Sequence, residues 1–406
     1  MEVLVLHNKL PYPTKDGGSI AVWNTVTEAA NQGHKIYLLA INTSKHYFPP
    51  ENLPKNLPNN LIIDTFFLNT DLTIFKLIKN FLFSRKSIHF KRFFSKEFAN
   101  KLVKVVKENN FDVILFDGLY VLQYLDYVKK FSSALLVYRA HNIECEIWDR
   151  LAKNQPQLLK KYYLSNLTKR LEKDEKKYLE KTDLILTFTR RDEVELKKRF
   201  KITKDIFVSS IGINIKDDIE FNKIRFPSLF YIGSLDWIPN QEGLIWFLEN
   251  IWPKVVMKFP NLEFEIAGRN PSSFIIKKVK KYKNVKFYGE IEDSHLFMIE
   301  RAIMVVPLFS GSGIRIKIIE GLSLGKCIIT TSIGVEGIPV TANEVIIADT
   351  TDQFIKKLFE LLENKDLIYK YFCNSREFAK KYYNNKINVE KLFSFLESYK
   401  KSKNYV

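Results

Sequence analysis

Short runs dense in Val, Ile, Leu and Phe recur along the chain, separated by longer segments rich in Lys and Glu. That alternation is the pattern of parallel strands, buried on both faces and so apolar throughout, joined by amphipathic helices. In the first half it predicts strands at Val3–Leu6, Ile36–Ile41, Ile62–Leu68, Val113–Phe116, Leu135–Tyr138, Leu184–Phe188 and Ile206–Ser209. In the second half it predicts them at Leu229–Ile232, Glu263–Ala267, Val285–Tyr288, Met304–Pro307, Cys327–Thr330 and Val345–Ala348. The expected class is α/β, with two Rossmann-like, doubly wound sheets. The stretch Ile211–Pro227 is polar, aperiodic and carries Gly212 and Pro227, which places a domain boundary at 212/213. Beyond about Asp352 the period turns helical, with Phe354, Leu358, Leu361 and Leu362 on one face.

At 406 residues the chain is long enough for two domains with proper cores. Its formal charge is +17, yet 46% of its residues are hydrophobic, too many for a disordered basic tail. The excess charge therefore sits on folded surface and asks for an anionic partner: nucleic acid, acidic lipid or a phosphorylated small molecule. Cys145, Cys327 and Cys373 are scattered without CxxC spacing, which argues against a disulfide framework or a structural zinc. The N-terminal MEVLVLHNKL lacks the basic-then-apolar order of a signal peptide, and the longest uncharged apolar stretches, such as Ile303–Phe309, fall short of the ~20 residues of a spanning helix. These features point to a reducing, cytoplasmic, non-spanning protein.

Ligands of doubly wound sheets bind beyond the carboxyl ends of the strands, so the informative residues are those just after each strand. After Met304–Pro307 comes LFSGSGIRIKIIEGLSLGK. Gly311 and Gly313 let backbone approach a ligand, Ser312 is a candidate N-cap, and the following helix turns its positive end toward an anion. Helical spacing puts Gly313, Lys317 and Glu320 on one face, a cation for phosphate beside a carboxylate for sugar hydroxyls. The same spacing also describes a plain capped helix with a Lys317–Glu320 surface pair. The first βα turn carries Gly17 and Gly18, with Ser19 as a candidate N-cap, and no GxGxxG fingerprint is present. At the end of Leu135–Tyr138, RAHNIECEIW gathers Arg139, His141, Asn142 and Glu144, and Asp117-Gly118 ends the preceding strand in the same manner.

Taken in order, the Gly17-Gly18 turn, HNIECEIW, YIGSLDWIPNQEGLIWF, FEIAGRNP, VKFYGEIED and VVPLFSGSGIRIKIIEGLSLGKCIITTSIGVEGI resemble a GT-B glycosyltransferase of retaining family 4, the group that assembles capsule, exopolysaccharide and lipopolysaccharide. The resemblance implies two Rossmann-like domains facing across a cleft: residues 1–212 for the acceptor, 213–380 for a nucleotide-sugar, and 381–406 as helix crossing back to the first. It implies transfer of a sugar from a nucleotide-diphosphate donor with retention, without a metal ion or other cofactor. In the family's E-x7-E pattern the second carboxylate matches Glu320, whereas the first position is Ser312. The loop GSLDWIPN has Ser234 near the family's diphosphate-binding Arg and no following Lys, so Arg315 and Lys317 stand in as replacements. By the same carry-over Arg269, Glu290 and Ile291 border base and diphosphate, Gly17 and Gly18 approach phosphate, and His141 is the active-site histidine that orients sugar or acceptor. The main catalytic contribution would come from the helix dipole with Arg315 and Lys317 neutralising the leaving diphosphate.

The stretch Leu72–Lys96 carries Lys76, Lys79, Arg85, Lys86, Lys91, Arg92 and Lys96 without an acid, interleaved with Phe75, Phe81, Phe83, Phe90, Phe93 and Phe94. This composition suits an anionic membrane surface, and in relatives with lipid-linked acceptors the same region meets the membrane, which places the chain at the inner face. A core-facing helix with one solvated face gives the same pattern. A nucleic-acid binder is disfavoured by the absence of any RNP, KH, zinc-finger or helix-turn-helix pattern. A nucleotide-sugar epimerase would need several acids where this loop offers mainly Glu320, and a protein that binds nucleotide-sugar without catalysis is kept open by Ser312 and Ser234.

Overall fold

The computed structural model describes residues 1–84, 86–311 and 313–403. A strand forms at each of the positions predicted from the pattern, and all pair in parallel within two sheets. The chain divides into two compact units, one made of Met1–Gly212 and the chain from Asn385 onward, the other of Ile213–Asn384. The predicted segment 381–406 is thus split, because residues 381–383 belong to the helix Lys365–Tyr383 of the second unit.

In the first unit the strands are β1 (Glu2–His7), β2 (Lys35–Thr43), β3 (Leu61–Leu68), β4 (Val113–Asp117), β5 (Leu135–Ala140), β6 (Leu184–Thr187) and β7 (Ile206–Val208), in the order β3-β2-β1-β4-β5-β6-β7. Alternate residues of β1 face opposite ways. Val3 and Val5 pack with Val22 and Val26 of the helix Gly17–Asn31 and with Val389, Leu392 and Leu396 of the helix Asn385–Ser402. Leu4 and Leu6 meet Phe98 and Leu102 of the helix Lys96–Glu108 and Leu171 of the helix Leu158–Leu179. Strand order reverses between β1 and β4, and there the register sets His7 beside Asp117 and Asp117 beside Arg139. The helix Gly17–Asn31 is capped by Asp16, whose carboxylate accepts from the Ser19 N–H, so Ser19 lies inside the first turn and is not the cap.

The second unit holds β8 (Arg225–Ile232), β9 (Phe264–Ala267), β10 (Val285–Gly289), β11 (Arg301–Val306), β12 (Cys327–Thr330) and β13 (Val345–Ile347), ordered β10-β9-β8-β11-β12-β13. Here the order reverses between β8 and β11, the switch point at which such sheets take ligands. The helix after β11 runs Ile316–Ser323 with Arg315 as N-cap, later than the sequence pattern implies. Gly311 and Gly313 have φ of +109° and +77°, a left-handed backbone that no α-helix contains, so Gly313 belongs to the loop and does not share the helix face of Lys317 and Glu320. The candidate cap Ser312 lies outside the described residues, and the cap position itself is filled by Arg315. Among the described residues no helix is long and apolar enough to cross a membrane.

The helix Ile238–Asn250 presses on the end of β11 through Gly243: a Cβ there would stand 1.6 Å from the Pro307 carbonyl oxygen. Gly243→Ala must push helix and strand end apart. Its expected cost is about 1–3 kcal/mol in urea unfolding, the range of overpacking, and an unchanged midpoint would show that the contact does not hold the loop.

Candidate functional site

In the first unit the predicted His141 lies in a cluster built by three strand ends. Asp117 is fully buried, and Arg139 grips it through Nε at 2.9 Å and through a second guanidinium nitrogen to the other oxygen. His141 Nε2 lies 2.5 Å from Asp117 Oδ1, and Arg139 also donates to Thr25 Oγ1 at 3.0 Å. Burial alone would push the Asp117 carboxyl up; Arg139, with His141 after it, outweighs burial and holds it well below the usual carboxylate range. An ionised carboxylate only accepts, so His141 Nε2 carries the proton and Nδ1 is left facing Gly18, whose Cβ position is 3.6 Å away. Gly18 and His141 are therefore neighbours, with Lys9 on Asp16 at 2.6 Å beside them.

His7 was passed over in the sequence, where it only ends an apolar run. Its Nδ1 donates to the Asp117 carbonyl at 2.6 Å and its ring stacks on His141 at 5.5 Å. Burial pushes the His7 imidazole down to about 4 against the pull of Asp117, so it is neutral at pH 7. His7, Asp117 and His141 offer ligand atoms within 4.8 Å of one another, the spacing of a metal site. Arg139 occupies both Asp117 oxygens and would repel a cation, which disfavours a metal there even though His7 Nε2 is buried without a hydrogen-bond partner among the described residues. The remaining predicted residues of this unit follow β5. Glu144 accepts from Tyr120 at 3.0 Å and from the Asn142 side chain, and burial raises its carboxyl. Arg139, grouped in the sequence with His141, Asn142 and Glu144 at the end of the strand, is 1% exposed and serves as the counter-charge of Asp117.

In the second unit the loops after β8, β9 and β11 meet. Lys317 donates from Nζ to Asn240 Oδ1 at 2.9 Å and lies 5.1 Å from the centre of the Tyr231 ring. Among the described residues no carboxylate pairs with it. Burial, then the nearby Arg315, pushes the Lys317 ammonium down to about 7. Arg315 folds back on the Gly313 carbonyl, and a Cβ at Gly311 would lie 3.1 Å from its guanidinium. Gly233 sits between these groups, its Cβ position 3.2 Å from Lys317 Nζ. One residue on, Ser234 accepts from Arg269 Nε at 2.6 Å, which ties the loop after β8 to the loop after β9.

Glu320 takes a different partner from the one its spacing promised: His295 Nε2 lies 3.2 Å from its carboxylate. Glu290 and Ile291 follow β10, and Gly289 at its end accepts from the Gly268 N–H at 2.7 Å, tying that loop to the one bearing Arg269. Asn240 and His295 were missed in the sequence, since each comes from a helix whose own spacing carries no motif.

The basic stretch divides into the helices Ile74–Phe83 and Ile88–Lys91. Phe90 and Phe93 are core, whereas Phe75 and Phe83 are 73% and 82% exposed, beside Ile74, Ile78 and Leu82. Arg85 lies outside the described residues.

Two doubly wound parallel sheets, with the chain returning to the first unit for its last helix, define the fold of the GT-B glycosyltransferases. Residues 226–364, within the second unit, match the family described as "Glycosyl transferases group 1", so this stretch is a group 1 glycosyl transferase domain. Over 409 residues, 97% of this chain and 99% of the relative, the chain is 22% identical to an "Uncharacterized 44.6 kDa protein in cps region" of Klebsiella pneumoniae. Among solved structures it resembles sucrose-phosphate synthase of Thermosynechococcus elongatus, with a TM-score of 0.70 and 14% identity over 99% of this chain and 100% of that one. It also resembles Anabaena HepE in complex with UDP, with a TM-score of 0.67 and 12% identity over 98% of this chain and 100% of that one.

Removing the charge of Asp117 leaves Arg139 buried without a counter-ion. Asp117→Asn should lose about 3–5 kcal/mol of unfolding free energy, the cost of breaking a buried pair from one side. A loss below about 1 kcal/mol in urea titration would mean the cluster does not hold the strand ends.

Proposed function

We propose that the chain is a retaining glycosyltransferase that moves a hexosyl group from a nucleotide-diphosphate sugar to a glycan or lipid-linked acceptor in cell-surface polysaccharide assembly, without a metal ion. The observation that carries this reading is Lys317, a half-buried cation held by a neutral amide and an aromatic ring beside a glycine loop. Such a group is arranged for an anion that arrives from outside. The group 1 domain and the UDP in HepE support a nucleotide diphosphate as that anion, and the capsule-region relative supports a polysaccharide product.

In this reading the leaving diphosphate gains charge as the bond to the anomeric carbon breaks, and Lys317 and Arg315 neutralise it, with Arg269 and the Ile316–Ser323 helix end adding positive potential. Glu320, steadied by His295, is the acceptor for sugar or ribose hydroxyls. His141 orients a sugar or acceptor hydroxyl through the Nδ1 that Asp117 leaves available, and is not a nucleophile. Gly17, Gly18, Asn142, Glu144, Glu290, Ile291, Gly311 and Gly313 contribute as binding residues.

We assign the chain to the inner membrane face through the helix Ile74–Phe83. Its exposed apolar residues lie on one helix with Lys76 and Lys79, and the first turn of the helix Leu158–Leu179 leaves Leu158 and Leu159 81% and 87% exposed. Phe81 joins the two helices through ring contacts with Tyr162 and Tyr163. An apolar face edged by lysines suits the boundary between anionic headgroups and acyl chains.

A panel of nucleotide sugars scored by thermal shift, then by nucleotide released in the presence of acceptor lipid, tests the reaction. One donor should raise Tm, and Lys317→Met should abolish the shift; no shift from any donor would sink the reading. Because Lys317 loses its proton near 7 in the free protein, donor affinity should be full below that pH and weaken above it, by at most about tenfold per unit. Donor Kd flat from pH 6 to 9 would remove Lys317 from the diphosphate. Phe75→Ser with Phe83→Ser should release the protein from acidic vesicles in a flotation assay without changing donor binding.

A further inference from the structure

A cavity of about 830 Å³ lies in the first unit among groups that the reading above does not use. Its walls come from the helix Lys96–Glu108, the short helix Leu125–Val128 and the C-terminal part of Leu158–Leu179. Four lysines line it: Lys86, Lys91, Lys130 and Lys177. All are exposed, and none is in an ion pair within 4.0 Å among the described residues, with Asp174 acting through space on Lys86 and Lys177. The one acid in the wall, Asp126, is taken by Lys181 at 2.5 Å, and the nearby Asp174 accepts from the Ser87 N–H at 2.9 Å. Four lysines around one hollow set up a positive local potential, which an anion entering it would relieve.

The rest of the lining limits what that anion is attached to. Phe94, Tyr127 and Phe131 are 41%, 37% and 46% exposed, large apolar rings left in water beside the lysines. Lys107 lies over Phe131 at 4.3 Å, adding a further cation. Gln123 is already used, donating to the Phe90 and Tyr120 carbonyls, so it forms wall and reads no ligand. Phosphate suits point-like ammonium donors, and the rings suit carbon next to it.

Position supplies the source. Along the helix Leu158–Leu179 three residues of the basic stretch make contacts: Phe81 with Tyr162 and Tyr163, the Asn80 and Phe81 carbonyls with Arg170, and Ser87 with Asp174. Lys177 follows, about 10 Å beyond Arg170 at the rise of an α-helix. Lys86 in the lining stands three residues after Phe83, so at most about 11 Å of chain separates the cavity from the end of the exposed helix Ile74–Phe83.

We infer that this cavity is a headgroup pocket for an anionic phospholipid. The lysines take the phosphate oxygens, and Phe94, Tyr127 and Phe131 cover the glycerol and first methylenes. The inference rests on the membrane reading of the helix Ile74–Phe83 and adds to it a stoichiometric site.

Dioctanoyl phosphatidylglycerol, titrated into the full chain below its micelle concentration, separates a pocket from a diffuse charged surface. The expected result is saturable one-to-one binding, weakened at least tenfold in Lys130→Gln with Lys177→Gln and unchanged in Lys280→Gln with Lys281→Gln, two exposed lysines of the second unit. Dioctanoyl phosphatidylcholine should bind at least tenfold more weakly. Absence of saturable binding, or equal loss in both variant pairs, overturns the pocket. If the protein still floats with acidic vesicles in that case, the pocket fails and the membrane reading stands; if it floats with neither acidic nor neutral vesicles, both fail. Displacement of the lipid by an equal concentration of inorganic phosphate would make this a free phosphate site and overturn the lipid assignment.

Discussion

A buried carboxylate at a strand switch point is the constraint around which the first unit is arranged. Asp117 has no water to solvate it, so every group that reaches it must answer its charge. Register delivers His7 and Arg139 on the two neighbouring strands, and the turn after β5 delivers His141. Arg139 supplies the charge, and each histidine donates at a defined nitrogen, Nδ1 of His7 to the Asp117 carbonyl and Nε2 of His141 to its carboxylate. The orientation of His141 is therefore a by-product of satisfying Asp117. A side chain placed in this way needs no dedicated scaffold, because the ion pair that fixes it also holds the strand ends together.

The second unit treats charge in the opposite manner. Lys317 is brought into a confined setting with an amide for a partner and another cation nearby, which leaves its charge unanswered within the fold. The glycines around it allow this: Gly233 leaves room for the ammonium, and Gly311 and Gly313 bend the loop back toward it. The Asp117 cluster completes its electrostatics within the fold, while Lys317 has no carboxylate partner among the described residues.

The strands were legible because parallel strands covered on both faces must be apolar at every position, which leaves a continuous run that no surface segment imitates. The glycine loop, Lys317 and His141 were legible for the related reason that they stand just after such runs. What was lost lay where two distant segments meet. His7 looked like the polar end of a run until β4 was placed beside β1. The helix start at Ile316 depended on φ values that spacing does not encode, and the cap at Asp16 depended on which of two polar residues the chain turned inward. The basic stretch read as one segment, but packing against the helix Leu158–Leu179 divides it, burying Phe90 and exposing Phe83. Asn240 and His295 carried no motif because their roles exist only toward residues many positions away.

The last helix, Asn385–Ser402, gives the first unit part of its core, with Val389, Leu392 and Leu396 closing over Val3, Val5 and Val22. Its entry is fastened by Asn385 on the Asn24 carbonyl at 2.9 Å and Asn388 on the Ile211 carbonyl at 3.1 Å. On the ribosome this reverses the usual order of completion. The second unit emerges as one uninterrupted stretch and has its whole core to hand, with Ile213 already bonded to Tyr383 at 2.8 Å. The first unit, though synthesised earlier, must wait with one face of its sheet uncovered, for roughly 10–30 s at ordinary translation rates. The half of the protein that is made first is the half that is finished last, and its aliphatic face is the surface most in need of shielding in the interval.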